Sequence, residues 1–446
     1  MNLEDHPTVR EYRSGERVAP PGSIRETLDS QWFKQAAMEA GADDVGLASP
    51  DQPALAGELI NIKRTFPETI TLASIVCRLN PENIRCVSRS VSDLEFLQGF
   101  ERVNEACRKI AVGLRERGAR AVNPASGFPM DLENWPGRMW PVSHKPVAIA
   151  AGMGQLGLSR LLLHPRYGAF VALGTMLIDR EFSDYDTPIE YNPCVDCKLC
   201  AAVCPVGAIG ADGHFNFANC MTHNYRDRMG GFSDWVENMV DARNRFAYRR
   251  KVTDPETVSM WQSLSYGICN KSSYCMAVCP AGSEYIGPYL EDRKAYTRSV
   301  VQPLQEKNEN IYVVPGGDAE KHVAKRFPHK NIRRVGNGLR PKSARSFLDA
   351  LPLVFQPGRS EGLNATYYFQ FTGADPVSAA VTIQGKSLTV TRELTGKADL
   401  TVKADGAAWV GFLRGEKKLL WALITGKIRL KGSPRLMKAF ARCFPS

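Results

Sequence analysis

Cys194-Val195-Asp196-Cys197-Lys198-Leu199-Cys200-Ala201-Ala202-Val203-Cys204-Pro205 is a C-x2-C-x2-C-x3-C-P run, and it constrains this chain more than any other stretch. Three cysteines at this spacing converge on one face of a [4Fe–4S] cubane while the fourth points away, so the run calls for a second cluster and a second set of thiolates. That set lies downstream, in Cys220, Cys269, Cys275 and Cys279, and Cys275 to Pro280 repeats the C-x3-C-P ending. If each terminal Cys-Pro cysteine crosses to the other cluster, as in two-cluster ferredoxins, Cys194, Cys197, Cys200 and Cys279 hold one and Cys204, Cys220, Cys269 and Cys275 the other. Structural zinc is the alternative for a C-x2-C pair, but it needs four soft ligands per site and does not account for the repeated ending.

Cys77, Cys86, Cys107 and Cys443 follow no pattern and read as small buried hydrophobes. The first 30 residues are polar and carry no apolar core or twin arginine, and no apolar run approaches the roughly 20 residues of a membrane span. Reduced thiols without an export signal point to the cytoplasm. The net charge of +10 is concentrated from Lys321 to Phe347, where nine cations occur without an acid. Such a stretch can bind RNA, an anionic lipid surface or an acidic partner. Gly336, Gly338 and Pro341 favour a solvated linker instead.

The 446 residues suggest about three domains. We read an extended N-terminal arm over 1–25, an α/β domain over 26–185, a two-cluster ferredoxin-like domain over 186–305, a basic linker over 306–345 and a small α+β domain over 346–446. In the first domain, Arg25 to Ala40 and Leu94 to Arg117 have helical spacing, and Val45 to Ala48, Thr71 to Arg78 and Ala121 to Asn123 read as strands. Strand and helix in alternation imply an α/β layer. The loop from Asn123 to Val147 mixes prolines and glycines with Phe128, Trp135, Met139 and Trp140, which is the composition of a binding loop or of a surface loop pinned by aromatics. Gly152-Met153-Gly154-Gln155-Leu156-Gly157, with Asp179 further on, imitates a dinucleotide fingerprint. Its context is wrong, because alanines precede it where a strand should be and Pro165 cuts off the segment that follows. Close approach of a flat ligand suits these glycines better. Gly230 to Tyr248 and Tyr289 to Gln305 read as helices. Val381 to Thr391 alternates around a glycine turn, Ala398 to Lys403 alternates again, and Gly406 to Arg414 and Pro434 to Phe444 are helical.

Gly41 to Gly46, Ala151 to Gly157 with Leu162 to Gly168, and the paired cluster motifs occur in the order they take in the epoxyqueuosine reductase and reductive dehalogenase family, which the chain resembles over about residues 20–305. The resemblance implies a nitroreductase-like α/β domain that holds a base-off cobalamin beside a two-cluster ferredoxin domain fed by an external low-potential electron donor. It implies corrinoid contacts from Gly152, Gly154, Gly157, Leu163, His164, Pro165 and Gly168, with no histidine required on cobalt. Epoxyqueuosine reductases carry an aspartate proton donor upstream of the glycine block. Here Met139 to His144 stands in that place, and Asp131 is the nearest acid in the loop. His144 is the first local candidate for a general acid and Tyr167 the second. Each has an ordinary alternative role in hydrogen bonding.

Residues from about 345 to 446 resemble a sterol carrier protein type-2 domain, through Gly396 to Val402 and Leu423 to Gly432. The resemblance implies an apolar tunnel for a sterol or acyl chain, walled by Trp409, Phe412, Leu413, Leu436, Met437 and Phe440, although these six can equally fill the core. The combined expectation is an iron–sulfur oxidoreductase that passes electrons to a corrinoid to reduce an apolar or lipid-linked substrate. One alternative is a tRNA-modifying reductase of the epoxyqueuosine type, and the other is a lipid-binding electron carrier without cobalamin.

Overall fold

The computed structural model describes residues 2–14, 26–131, 139–267, 270–337 and 340–445. Its first domain is built on a four-stranded sheet in the order Asp44–Ala48, Thr71–Arg78, Val171–Ile178, Ala121–Val122. Every neighbouring pair is antiparallel. The expected helix-on-sheet layering is present, but its strands do not run parallel. Alternation along Thr71–Arg78 sends Ala73, Ile75 and Cys77 to one face and Leu72 and Val76 to the other. The long helix Arg89–Glu116 covers the first face with Val103, Cys107 and Ile110, and the short helix His144–Ala150 covers the second with Val147 and Ala148. Helix Ser30–Ala40 is capped by Asp29, whose side chain accepts from the Gln31 N–H, and it is stopped by Gly41 in the left-handed conformation.

Several sequence expectations are corrected. The N-terminal arm is not extended where described, because Pro7–Ser14 is an exposed helix; residues 15–25 lie outside the described set. The inner strand Val171–Ile178 escaped notice: it is a continuous apolar run interrupted by Gly174, where the side chains of Val103 and Cys107 leave no room for a Cβ. Gly152 to Gly157 opens no phosphate-binding helix. Gln155–Leu156 pairs instead with Leu162–Leu163 in a small antiparallel hairpin. Asp179 binds the Arg120 guanidinium and backbone N–H inside the fold.

In the cysteine-rich segment, Gly230 to Tyr248 is two helices, Gly231–Val240 and Arg245–Lys251, because the Asn244 side chain caps the second. A further helix, Asp254–Tyr266, starts at a capping box of Thr253 and Glu256. Tyr289 to Gln305 breaks into Gly287–Glu291, Arg293–Tyr296, a π turn and Gln302–Glu306, restarted by Asp292 as a cap.

The stretch expected to be a basic linker is folded. Asn310–Val313 and Asn331–Arg334 pair in parallel, joined by helix Asp318–Arg326. Three of its cations are paired, Lys330 with Glu309 at 2.8 Å, Arg333 with Glu256 at 2.8 Å and Arg334 with Glu320 at 2.6 Å. The C-terminal domain is a five-stranded sheet in the order Ser387–Thr391, Val377–Gln384, Asn364–Thr372, Leu400–Asp405, Ile428–Gly432. Helices Ala344–Val354, Gly406–Leu413 and Pro434–Cys443 contribute to its apolar core. Among the described residues no helix is long and apolar enough to cross a membrane.

Candidate functional site

Three cysteines of the first run and one from the second come together in space. Cys194, Cys197, Cys200 and Cys279 line one cavity with Leu163, Val195, Lys198, Pro280 and Ala281. The loop makes this approach by placing Asp196 and Lys198 at positive φ, +47° and +61°. Non-glycine residues hold that conformation only where the surroundings compel it. Burial pushes the Cys200 and Cys279 thiols up to about 12, and the neighbouring thiols of the set push in the same direction. Cys204, Cys220 and Cys275 form a second, adjacent group. The Cys275 thiol is raised by burial and then by Cys220, Cys204, Cys200 and Cys279, and burial with Cys204 pushes Cys220 up to about 12. Cys269, the remaining expected ligand, lies outside the described residues. Of the unpatterned cysteines, Cys77, Cys107 and Cys443 are buried and Cys86 is half-buried.

Burial makes six of these thiols, Cys197, Cys200, Cys204, Cys220, Cys275 and Cys279, costly to ionise by themselves, and a multivalent iron core reverses that cost by binding the thiolate form. Among the described residues no three His, Cys, Asp or Glu side chains converge closely enough to hold a single metal ion. A cubane holds its four sulfurs farther apart than one ion does, so the donor set fits clusters better than zinc.

His144 has a structural task. Its Nε2–H donates to the Ala125 carbonyl at 2.9 Å, and its Nδ1 accepts from the Thr175 hydroxyl at 2.9 Å. Burial lowers its pKa, so the ring is neutral and both nitrogens are engaged. Tyr167 is buried and stacked on His164 with ring centroids 4.8 Å apart. Burial raises its hydroxyl above the ordinary range, and that hydroxyl faces the Asp43 carbonyl at 3.5 Å. His164 in turn donates from Nε2 to Asp44 at 2.9 Å and accepts at Nδ1 from the N–H groups of Arg166 and Tyr167. Burial works to raise the Asp44 pKa, but the bonds from His164 and the Val45 N–H outweigh it and hold the carboxyl low.

Each glycine expected to meet a corrinoid packs closely on protein at its Cβ position. A Cβ at Gly152 would strike the Thr187 carbonyl, one at Gly154 the Leu163 carbonyl, one at Gly157 the Leu163 side chain and one at Gly168 the Ala281 carbonyl. Leu163 and His164 are buried, and the Pro165 carbonyl accepts from the Ser283 N–H. These residues stitch the hairpin to the cysteine-rich segment.

Sequence reasoning missed a group of side chains near the second thiol group. Lys145 is open to solvent, yet it lies close enough to Cys220 and Cys275 to feel both, and desolvation lowers its pKa. Its Nζ donates to the Arg160 carbonyl at 2.7 Å. Tyr225, at the end of the helix Phe217–Asn224 that carries Cys220, and Phe128 of the loop both lie against the Arg228 guanidinium, at 4.9 and 5.1 Å. Phe128 belongs to the loop whose aromatics drew attention, whereas Trp135 lies outside the described residues.

In the C-terminal domain the expected tunnel wall is packed. Trp409 and Phe440 are buried among Phe347, Phe369 and Phe371, with Phe412, Leu436 and Met437 against them, and Leu413 is exposed. Of the two readings of these six residues, core filling describes all but Leu413.

Residues 355–445 match the family model for the SCP-2 sterol transfer family. Among curated proteins, the epoxyqueuosine reductase of Aliivibrio fischeri is 35% identical over 83 residues, which is 19% of this chain and 22% of that protein. That of Lactococcus garvieae is 32% identical over 82 residues, 18% of this chain and 23% of that protein. The match therefore spans less than a quarter of these relatives' length. Among solved structures, epoxyqueuosine reductase from Streptococcus thermophilus overlaps 62% of this chain and 89% of its own at 15% identity and a TM-score of 0.36. A catabolic reductive dehalogenase overlaps 65% and 37% at 16% identity and a TM-score of 0.40. Likenesses this loose transfer no residue roles. The names of the curated relatives overturn the expected apolar or lipid-linked substrate, because they are reductases of epoxyqueuosine and favour the tRNA-modifying alternative. The chain thus resembles the epoxyqueuosine reductases over a limited stretch and carries an SCP-2 sterol transfer family domain at its C-terminus.

Proposed function

We propose that this chain is an iron–sulfur reductase of the epoxyqueuosine type, acting on a modified nucleoside carried by tRNA. The observation that carries the reading is the spatial sorting of the cysteines into two adjacent groups, taken with the 30–35% identity to curated epoxyqueuosine reductases. Cys194, Cys197, Cys200 and Cys279 would hold one [4Fe–4S] cluster, and Cys204, Cys220, Cys275 and Cys269 the other. When bound, such clusters supply single electrons at low potential, drawn from an external donor.

The chain's own residues have separable tasks in this reading. The left-handed turns at Asp196 and Lys198 aim the first three sulfurs inward. The hairpin Gln155–Leu156 and Leu162–Leu163, locked by Gly168 against Ala281, keeps the first domain against the first thiol group. Lys145, Arg228, Phe128 and Tyr225 gather two cations and two aromatic rings near the second group. Those are the kinds of side chain that hold a phosphate and stack an unpaired base. His144, bonded to Thr175 and the Ala125 carbonyl, fixes the start of the helix that bears Lys145.

The test is anaerobic incubation of cluster-reconstituted protein and a strong one-electron reductant with a tRNA stem loop bearing epoxyqueuosine, analysed by mass spectrometry of the nucleosides. Loss of one oxygen from the modified nucleoside is expected. Full iron loading with unchanged nucleoside over many hours would overturn the proposal.

A further inference from the structure

The helix Leu419–Ile424 has the sequence LLWALI and carries no polar side chain. A short helix that is apolar all round is normally enclosed by protein or lipid. Here only one side is enclosed: Ala422 is buried and Leu423 packs on the domain core. Leu420, Trp421 and Ile424, at spacings of one and four residues and so on a shared face, are 69%, 45% and 76% exposed. Leu413, at the end of the preceding helix, is exposed too.

Cations flank this helix in the chain, and two of them lie beside Trp421. From Leu413 to Lys431 the chain has Arg414, Lys417, Lys418, Lys427, Arg429 and Lys431 against one acid, Glu416, which pairs with Arg414 at 3.8 Å. The ammonium groups of Lys417 and Lys427 lie 6.0 and 5.3 Å from the centre of the Trp421 ring. Among the described residues Lys417, Lys418 and Lys427 have no acidic partner.

We propose that the segment from Leu413 to Lys431 is a docking surface for an anionic lipid bilayer. An exposed tryptophan between lysines, with aliphatic side chains projecting beyond it, is the composition that settles at the boundary between headgroups and acyl chains. Charge complementarity selects this occupant. A second copy of a chain with net charge +10 presents the same cations and is repelled. A nucleic acid would satisfy the lysines but leave Leu420 and Ile424 in water, since neither phosphate nor base has a use for an exposed aliphatic chain. The surface is independent of the reductase reading, because it contains none of the thiols and none of the side chains gathered near them. It gives the C-terminal domain a way to meet a membrane, whereas no helix among the described residues is long and apolar enough to cross one.

Flotation of the full-length, iron-loaded protein with phosphatidylcholine vesicles, with and without phosphatidylserine, tests the proposal. Binding to the anionic vesicles is expected, with at least a tenfold weaker partition for the double variant Leu420→Glu and Ile424→Glu. The triple variant Lys417→Gln, Lys418→Gln and Lys427→Gln should bind more weakly and lose its sensitivity to salt. All five positions are exposed or half-exposed, so circular dichroism and cluster absorbance should be unchanged, and reductase activity serves as an independent readout. No wild-type binding, equal binding to neutral vesicles, or binding unaffected by the double variant would overturn the proposal. So would a concentration-dependent dimer, or RNA binding, that the double variant abolishes.

Discussion

His223 is fully buried, with Nδ1 accepting the Tyr312 N–H at 3.2 Å and Nε2 lacking a partner among the described residues. Burial first, and then Lys271, Lys330 and Arg89, push its pKa down to about 3. The unfolded chain has an ordinary histidine near 6.5, so below that pH the unfolded state takes up a proton that the folded state refuses. The contribution is therefore fully present above about pH 6.5 and is lost as pH falls toward 3, at roughly 1.4 kcal/mol per unit. His223→Gln keeps an acceptor for Tyr312 and removes the titration. Thermal unfolding of both proteins between pH 7 and pH 4.5 should show a shallower fall in apparent Tm for the variant. Parallel curves would mean that His223 is charged in the folded state. His223 drew no attention in the sequence, although it lies three residues after Cys220, because burial of a lone histidine leaves no local mark. The cysteines were legible for the opposite reason, since ligand spacing is a short-range property. Lys145 was passed over beside His144, and only the approach of the loop through Phe128 to the helix bearing Cys220 gives it a role.

At the scale of elements, the junction between the first domain and the cysteine-rich segment is a crossing of two glycine backbones. Gly168, at φ +55°, lies against the Ala281 carbonyl, and Gly282, at φ +100°, lies against Gly168 and the Arg166 carbonyl. The Ser283 and Glu284 N–H groups close the crossing onto the carbonyls of Pro165 and Arg166. Gly168→Ala forces a Cβ into the Ala281 carbonyl at a left-handed residue, a strain of about 1–3 kcal/mol before any separation of the chains. Because Ala281 follows Cys279 by two residues and lines the same cavity, the variant should lose thermal stability and hold less iron after reconstitution, both readable by calorimetry and iron assay. Unchanged iron with unchanged Tm would show that the crossing does not hold the thiol group in place. The Gly152 to Gly168 block was legible as a close approach, but not what approached it, because a glycine signals absence of a side chain and not the identity of its neighbour. The inner strand Val171–Ile178 and the unit from Asn310 to Arg334 were lost differently. The strand has no alternation because both its faces are covered, and the cations looked solvated because their acids lie outside the basic run from Lys321 to Phe347: Glu309 and Glu320 precede it, and Glu256 comes from the helix Asp254–Tyr266.

For the molecule as a whole, the unit from Asn310 to Arg334 is the mechanical link between the thiols and the C-terminal domain. On one side, Ile311, Val313, Ala319, Val323 and Phe327 share a core with Cys204, Val206 and Ile209, and the His322 ring donates to the Cys204 carbonyl at 3.3 Å. On the other, the Asp318 carboxylate accepts the Gly358 N–H at 2.7 Å, the Asp318 N–H donates to the Gln356 side chain at 3.0 Å, and the Arg359 guanidinium donates to the Gly316 carbonyl. Gln356 continues inward, its N–H donating to the Cys443 carbonyl at 2.9 Å on the last helix. The two parts of the chain are therefore joined by polar contacts at this turn and by the packing of helix Ala344–Val354 on helix Phe217–Asn224, and the two aromatic and aliphatic cores on either side do not merge. Such a joint should open without unfolding either partner. Asp318→Ala leaves the Gly358 N–H unpaired at a cost of about 1–2 kcal/mol, which corresponds to roughly tenfold faster hydrogen exchange at residues 355–360. Exchange in the strands Asn364–Thr372 and Leu400–Asp405 should stay at its wild-type rate, because their protection comes from the domain's own sheet and helices. If exchange accelerates through those strands as well, the C-terminal domain draws its stability from the joint, and the picture of two independently packed parts on a common link fails.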